Sequence, residues 1–301
     1  MAPSAETLAC EVCGTAADPA RELVWRKDGH SILRCRVCGL LFRGELPDLD
    51  ELDEIYGEAY FRAREADTKG EGYPDYLRDN ELHRRNARKR LDLLERFVPP
   101  GDLLDVGCAS GFFLDEARLR GWRGRGVELS AGMAAYAREE LGLEVAVVPF
   151  QELGLTPDTL DCVTMWDYIE HSTAPADDLR RVHSFLRPGG MLALSTGDAG
   201  SLVARLSGRR WHLLTPHQHN FYFSRATLDR LLTQEGFRVR HRAALASTYT
   251  VHYLAHKLRT MSGLRMLDRL AAALEGSGIG RVSVPVNLWD IVTVVAEKPG
   301  P

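Results

Sequence analysis

From Gly101 onward, short apolar runs and amphipathic stretches take turns, and this alternation constrains the chain more than any other feature. LLDVG is a short β-run, GFFLDEARLRG has helical spacing, GRGVELS is a strand, and AGMAAYAREELG is a helix. LEVAVVP and LDCVTMWD follow as strands, ADDLRRVHSFLRPGG as a helix and MLALSTG as a strand. Strands separated by helices of this length predict an α/β fold with a doubly wound parallel sheet. Ligands of such sheets sit at the carboxyl ends of the strands, beside the point where strand order reverses. The turn inside LLDVGCASGFFL, residues Leu103 to Leu114, is therefore a binding site by position.

Composition of that turn narrows the ligand. A dinucleotide fingerprint G-x-G-x-x-G needs glycine where the chain has Ala109 and Phe112, and a phosphate loop G-x-x-x-x-G-K-[ST] is equally absent. What stands there is D-x-G-x-x-x-G, Asp105 to Gly111, with Glu128 closing the next strand. Glycine lets a backbone approach a ligand closely, Asp105 can accept hydrogen bonds from an ammonium group or its water, and a strand-ending acid can accept both ribose hydroxyls. Here the sequence resembles the class I S-adenosylmethionine-dependent methyltransferases, from about Pro100 to Lys298: LLDVGCASGFF matches their first motif, GVELS the ribose motif and LDCVTMWDYIEH the fourth-strand motif. The resemblance implies a Rossmann-like seven-stranded sheet whose last strand inserts antiparallel beside the sixth. It also implies that Gly107 and Gly111 line the methionine part of the cofactor, Glu128 binds ribose, Phe150 and Gln151 lie near adenine, and Trp166 and Asp167 lie at the sulfonium side.

Four of the six cysteines form two C-x-x-C pairs, Cys10 with Cys13 and Cys35 with Cys38, separated by 21 residues. That spacing suits a four-thiolate zinc site, and the run between the pairs carries two strand-like segments flanking Asp28-Gly29, a hairpin signal. Residues 1–45 thus read as a zinc ribbon with a closed, structural metal site, while Cys108 and Cys162 read as small buried hydrophobes. The start of the chain lacks a basic segment followed by an apolar one, and no apolar run is long enough to span a membrane, so a cytoplasmic protein is expected.

Between the modules, residues 46–99 read as an acidic, aromatic linker with Tyr56, Tyr60, Phe61, Tyr73 and Tyr76, then a helix from about Tyr76 to Phe97; this segment is expected to cover the cofactor site. Residues 100–301 form the catalytic domain, interrupted at about 252–281 by an amphipathic helical insertion expected to act as a lid or homodimer contact. The ribbon, the Tyr-Phe linker and the run W-x-x-x-x-P-H-x-H-x-x-x-F-S resemble bacterial methyltransferases of glycan and secondary-metabolite pathways, which implies a small-molecule or sugar-linked acceptor. Methyl transfer to a hydroxyl or carbon acid needs a base near the fourth and fifth strand ends, and the candidates are His219 and His217, then His171. Asp167-x-x-Glu170-His171 also resembles the E-x-x-E-H cluster that binds a divalent ion in ubiquinone-pathway and small-RNA methyltransferases. An RNA methyltransferase gripping its substrate with the ribbon is the alternative, and the basic run His83 to Arg90 would serve it; the net charge of -4 and the acidic linker argue against nucleic acid, and a solvated helix face is the plainer reading of that run.

Overall fold

The structure, a computed structural model, describes residues 8–47, 77, 80–251, 254–255, 274, 277 and 282–300. The aromatic linker and nearly all of the 252–281 insertion, with the roles expected of them as cover, lid or dimer contact, lie outside the described residues. No helix among the described residues is long and apolar enough to cross a membrane.

Seven strands form the main sheet: β4 (Asp102–Val106), β5 (Arg123–Val127), β6 (Glu144–Ala146), β7 (Leu160–Trp166), β8 (Leu186–Gly197), β10 (Arg238–Ala243) and β13 (Ile291–Glu297). Their order is β10-β13-β8-β7-β4-β5-β6, so the chain leaves β4 toward one edge and returns to its other side with β7. Strands β4 to β8 pair in parallel. The last strand, β13, runs antiparallel between β8 and β10, as the resemblance implied. All seven residues of β7 are buried, which fits a central strand covered on both faces.

Helices cover the sheet where local signals start them. Ser130 caps α4 (Ala131–Glu139), Pro175 opens α5 (Pro175–Phe185), and Ser224 with Thr227 forms a capping box on α7 (Arg225–Gln234). Helix α3 (Phe112–Leu119) starts directly from the glycine turn, whereas α6 (Leu202–Ser207) is a single short stretch after β8. Helix α2 (Asn80–Leu94) ends short of the Phe97 expected, and Leu91 and Leu94 on it are fully buried.

The basic run lies on α2 and is not a solvated face. Arg84 pairs with Asp115 and Glu116, Arg88 with Glu81 and Glu116, and Arg90 with Asp167, while Lys89 donates to the Ala246 carbonyl and Thr248. Sequence spacing exposes the charges but not their partners, which come from three other segments.

The N-terminal module contains α1 (Pro19–Glu22), β1 (Leu23–Lys27), β2 (His30–Arg34) and β3 (Leu41–Arg43). The hairpin pairs around Asp28-Gly29 as expected. Its sheet does not end with the module: β3 pairs antiparallel with β9 (Phe221–Tyr222), so residues far along the chain supply its fourth strand. Cys10, Leu33, Leu40 and Phe42 then share one apolar core with Leu179, Phe221 and Phe223.

Gly111 shows how tightly the turn is built. Its φ is +80°, and a Cβ there would lie 2.5 Å from Leu143 Cδ1 and 3.1 Å from the Ala137 Cβ. Gly111→Ala is expected to cost about 2–4 kcal/mol of unfolding free energy, left-handed backbone and overpacking together, read as a lower urea midpoint; an unchanged midpoint would contradict this packing.

Candidate active site

The turn after β4 is pinned from behind. Gly107 and Cys108 both donate their N–H to the Val127 carbonyl, at 2.9 and 3.2 Å, tying the turn to the end of β5. Gly107 has φ +71° and is exposed, and a Cβ there would lie 2.9 Å from Tyr168 Cδ2, so only bare backbone fits between the turn and that ring. Asp105 sits beneath, 2% exposed, accepting 2.6 Å from Thr164 Oγ1 of β7. Burial pushes its carboxyl up to about 7.

Glu128 is also buried, with Oε2 accepting the Ala109 N–H at 2.9 Å and Oε1 the Ser130 N–H at 2.8 Å. Each carboxylate oxygen keeps a second lone pair. The acid therefore holds both turns together and still presents acceptors to a diol. Gly111, by contrast, is buried against α4, so it shapes the turn from inside instead of lining its open side. Phe150 is buried edge-on to Tyr168 and Phe185, and the neighbouring Gln151 is exposed, its Nε2 donating 2.6 Å to Asp178 Oδ1. Asp178 also accepts from Ser172 and the Tyr168 hydroxyl, which fixes that ring over the turn.

At the carboxyl end of β7 the chain bends sharply, Asp167 having φ +54°. Its Oδ1 accepts 2.7 Å from Ser195 Oγ, its Oδ2 meets Arg90 at 2.6 Å, and the Arg90 guanidinium stacks 4.8 Å from the Trp166 ring. Asn86, Lys89, Arg90, Asp167, Ser195 and Thr293 line a shallow open cleft here. Arg90 was not singled out by sequence, since its run reads as helix surface.

One turn further on, Glu170, His171 and His219 bring ligand-type atoms within 4.8 Å of one another. This corrects the expected Asp167, Glu170 and His171 ion site: the Asp167 carboxylate is engaged by Arg90 and Ser195, and His219 joins the cluster from a distant loop. The two imidazoles lie edge to face, centroids 4.6 Å apart. His171 Nδ1 faces the Gln218 carbonyl at 3.0 Å and His219 Nδ1 the Leu213 carbonyl at 2.9 Å. A carbonyl can only accept, so each ring carries a proton on Nδ1. Burial lowers His171 to about 4, which keeps it neutral, and burial next to Asp167 pushes Glu170 up to about 8. Glu170 Oε2 is buried without a hydrogen-bond partner among the described residues. His217 is half-buried two residues from His219 and is not in the cluster. Sequence reading passed over a further pair, His212 Nε2 at 2.7 Å from the buried Asp290 Oδ2, which also accepts from Trp211. Neither residue belongs to a recognisable spacing, and β13 delivers Asp290 from the end of the chain.

In the N-terminal module Cys10, Cys13, Cys35 and Cys38 converge within 4.8 Å, with Cys10 Sγ 3.4 Å from Cys38 Sγ and Cys13 Sγ 3.4 Å from Cys35 Sγ. All four are free thiols. A zinc–sulfur bond of about 2.3 Å gives tetrahedral edges of about 3.8 Å, so the group fits one zinc ion. The two knuckles repeat each other: Gly14 donates to the Cys10 carbonyl and Gly39 to that of Cys35, while Cys10 and Cys35 donate to Thr15 and Leu40.

A family profile described as "Methyltransferase domain" matches residues 77–242. The chain is 26% identical over 184 residues to the ubiquinone biosynthesis O-methyltransferase of Aeromonas salmonicida, covering 54% of this chain and 77% of that protein. It is 30% identical over 167 residues to the malonyl-[acyl-carrier protein] O-methyltransferase of Enterobacter lignolyticus, covering 54% and 65%. Among solved structures, a SAM-dependent methyltransferase from Archaeoglobus fulgidus shares the fold with TM-score 0.51 and 18% identity over 74% of this chain and all (100%) of that one.

The buried Asp105 makes a pH test of this geometry. Its folded value, about 7, lies above the ordinary 3.8, so its contribution to stability is full below about pH 4 and is lost as pH rises through 7. The slope from this one group is at most about 1.4 kcal/mol per pH unit. Asp105→Asn keeps an oxygen for Thr164 and cannot ionise; denaturant melts of the ligand-free protein between pH 4 and 8 should show a shallower decline than wild type, and parallel curves would refute the assignment.

Proposed function

The chain belongs to the methyltransferase-domain family and is an S-adenosylmethionine-dependent methyltransferase, and on that premise we propose that it methylates a hydroxyl or acidic carbon of a small molecule, a sugar or secondary-metabolite intermediate, by in-line transfer with a histidine taking the acceptor's proton. What supports this reading most is a single juxtaposition. The Glu128 turn and the Glu170, His171 and His219 cluster both stand at the carboxyl ends of neighbouring parallel strands, β5 and β7 flanking β4. When bound, S-adenosylmethionine supplies an electrophilic methyl group on a sulfonium. Glu128 would hold the ribose, the bare Gly107 backbone the methionine part over the buried Asp105, Phe150 and Gln151 the adenine end, and Trp166 with Asp167 the sulfonium side. Relatives named as O-methyltransferases favour oxygen as the methylated atom.

The loop carrying His219 follows β8, where a small acceptor would face the sulfonium. The Nδ1–H bond to the Leu213 carbonyl fixes the His219 ring within the cluster, and His219 is the first candidate to take the acceptor's proton. His217 and His171 are the remaining candidates, and burial lowers His171 to about 4, which makes it a weak base. A second reading rests on the cluster's donor set. Glu170, His171 and His219 offer one carboxylate oxygen and two imidazole nitrogens, each ring braced through Nδ1 by a carbonyl, which suits a divalent ion that acidifies the acceptor hydroxyl. The nucleic-acid alternative gains nothing from the basic run, because its arginines are paired with acids of the same chain.

Two measurements check the proposal. Glu128→Ala should weaken S-adenosylmethionine binding by about 1–3 kcal/mol, the loss expected for charge-assisted hydrogen bonds, in calorimetric titration; unchanged affinity removes the ribose assignment. His219→Ala should lower turnover about 10²- to 10⁴-fold with cofactor affinity nearly intact. With the ribbon's metal content held unchanged, wild-type turnover that survives removal of magnesium and manganese assigns the imidazole as base, and a loss reversed by either ion assigns the ion; His219→Ala within about threefold of wild type would overturn both.

A further inference from the structure

The ribbon is joined to the acceptor loop by backbone, not only by side-chain contact. Cys38 is followed by Gly39 and Leu40 and then directly by β3, so two residues separate a sulfur of the metal site from a ladder. In that ladder Leu41 pairs with Tyr222 and Phe42 with Phe221, and Arg43 donates its N–H to the Asn220 carbonyl at 2.8 Å. Asn220 is the residue after His219. On the loop's other side, the Asn220 and Phe221 N–H groups both donate to the Glu170 carbonyl, at 2.8 and 3.1 Å, and the Asn220 side chain donates to the carbonyls of His171 and Ser172. The loop is thus held between the ribbon and the Glu170 and His171 corner.

Packing follows the same line. Ile32 and Leu41 of the ribbon form one apolar cluster with Trp211, Leu214 and Tyr222 of the loop, and Lys27 Nζ donates to the Leu214 carbonyl. Leu213, next to Leu214, is the residue whose carbonyl orients the His219 ring. A two-residue strand such as β9 has no stability of its own, and a ribbon of about forty residues lacks the core to hold a sheet without a crosslink. The Gly107 and Glu128 turns, in contrast, hang on β4, β5 and β6 of the large sheet through Val127 and Ala146.

We propose that the ribbon metal site positions the acceptor loop, with Leu41, Phe42 and Arg43 acting through β9 as positioning residues for His219. Metal loss then uncouples the two halves of the site: the cofactor half persists while the loop bearing His219 is released. The proposal rests on the reading of the four cysteines as a zinc site, and the test separates the two.

Zinc is quantified in the full-length protein as isolated, then stripped by chelation, and amide hydrogen exchange is followed by mass spectrometry alongside calorimetric titration with S-adenosylmethionine. The expected result is about one zinc per chain, exchange across residues 211–224 accelerated about tenfold or more on stripping, protection across 102–127 unchanged, cofactor affinity within about twofold, and protection restored by cadmium. Protein isolated with no metal on the four thiols overturns the zinc reading and the proposal with it. Zinc present but exchange at 211–224 unmoved by its removal overturns the coupling alone. Protection lost equally across 102–127 makes the ribbon a general support and overturns the positioning role. Arg43→Pro provides a second route, removing the N–H that Asn220 accepts while leaving all four cysteines: it should keep its zinc and lose protection at 211–224, whereas Arg43→Lys, which retains the N–H, should keep both. Protection retained in the folded, zinc-loaded proline variant overturns the proposal.

Discussion

Everything in the site depends on the reversal of strand order at β4. Because β5 leaves on one side and β7 returns on the other, the loops that follow the three strands diverge and leave room above Asp105. A parallel sheet ends all its strands with carbonyls and turns pointing the same way, so the Gly107 turn, Glu128, Asp167 and the Glu170 corner are delivered to one edge without any loop having to travel. Register does the remaining alignment. Asp105 stands opposite Thr164 on one neighbour and Gly126 on the other, which gives its carboxyl a hydroxyl donor on one side and leaves space on the other.

Charge is distributed unevenly around that edge. Below it, Asp105 and Glu170 are buried and pushed upward, toward the neutral form. Around it, arginines from α2 meet acids at the rim, Arg90 on Asp167 and Arg84 on Asp115. The Arg90 pair is partly exposed and contributes little to stability, whereas Asp115 is buried. Arg90 lies over Trp166 and engages the Asp167 carboxylate, while the cluster beside it is completed by His219. A strained residue at a strand end, Asp167 with φ +54°, fits a position where the surrounding bonds over-determine the backbone.

The alternation of apolar runs made the sheet legible, down to the short strand that carries Asp105 and the acid that follows β5, because those signals are local and repeat with the period of each element. The cysteine tetrad was legible for the same reason, two C-x-x-C pairs of identical spacing. The cluster was legible in part. Glu170 and His171 are adjacent in a motif, but His219 reaches them through tertiary packing, and no periodicity links positions so far apart. Arg90 was hidden by its own neighbours, since a basic run on a helix looks alike whether solvent or Asp167 receives it. The Asp290 and His212 pair had no local signal at all. β9, two residues long, lies below the length at which alternation can be read, and it is the element that turns the ribbon from an appended module into part of the site.

That last point bears on where the catalytic unit begins. A break near residue 45 is natural by composition, yet β3 gives its outer edge to β9, and an exposed β3 edge would otherwise be a row of unpaired backbone donors and acceptors. The loop in turn gains a partner that its own sequence cannot supply, having three imidazoles and four aromatic residues within 211–224 to hold but too few residues to fold on itself. Each side therefore satisfies hydrogen bonds the other would leave open, Arg43 to Asn220 on one flank and Asn220 to Glu170 on the next. A chain of bonds thus runs from the Cys38 knuckle through β3 to the residue beside His219, so the loop residues paired with β3 are constrained by the N-terminal module as well as by their own turn.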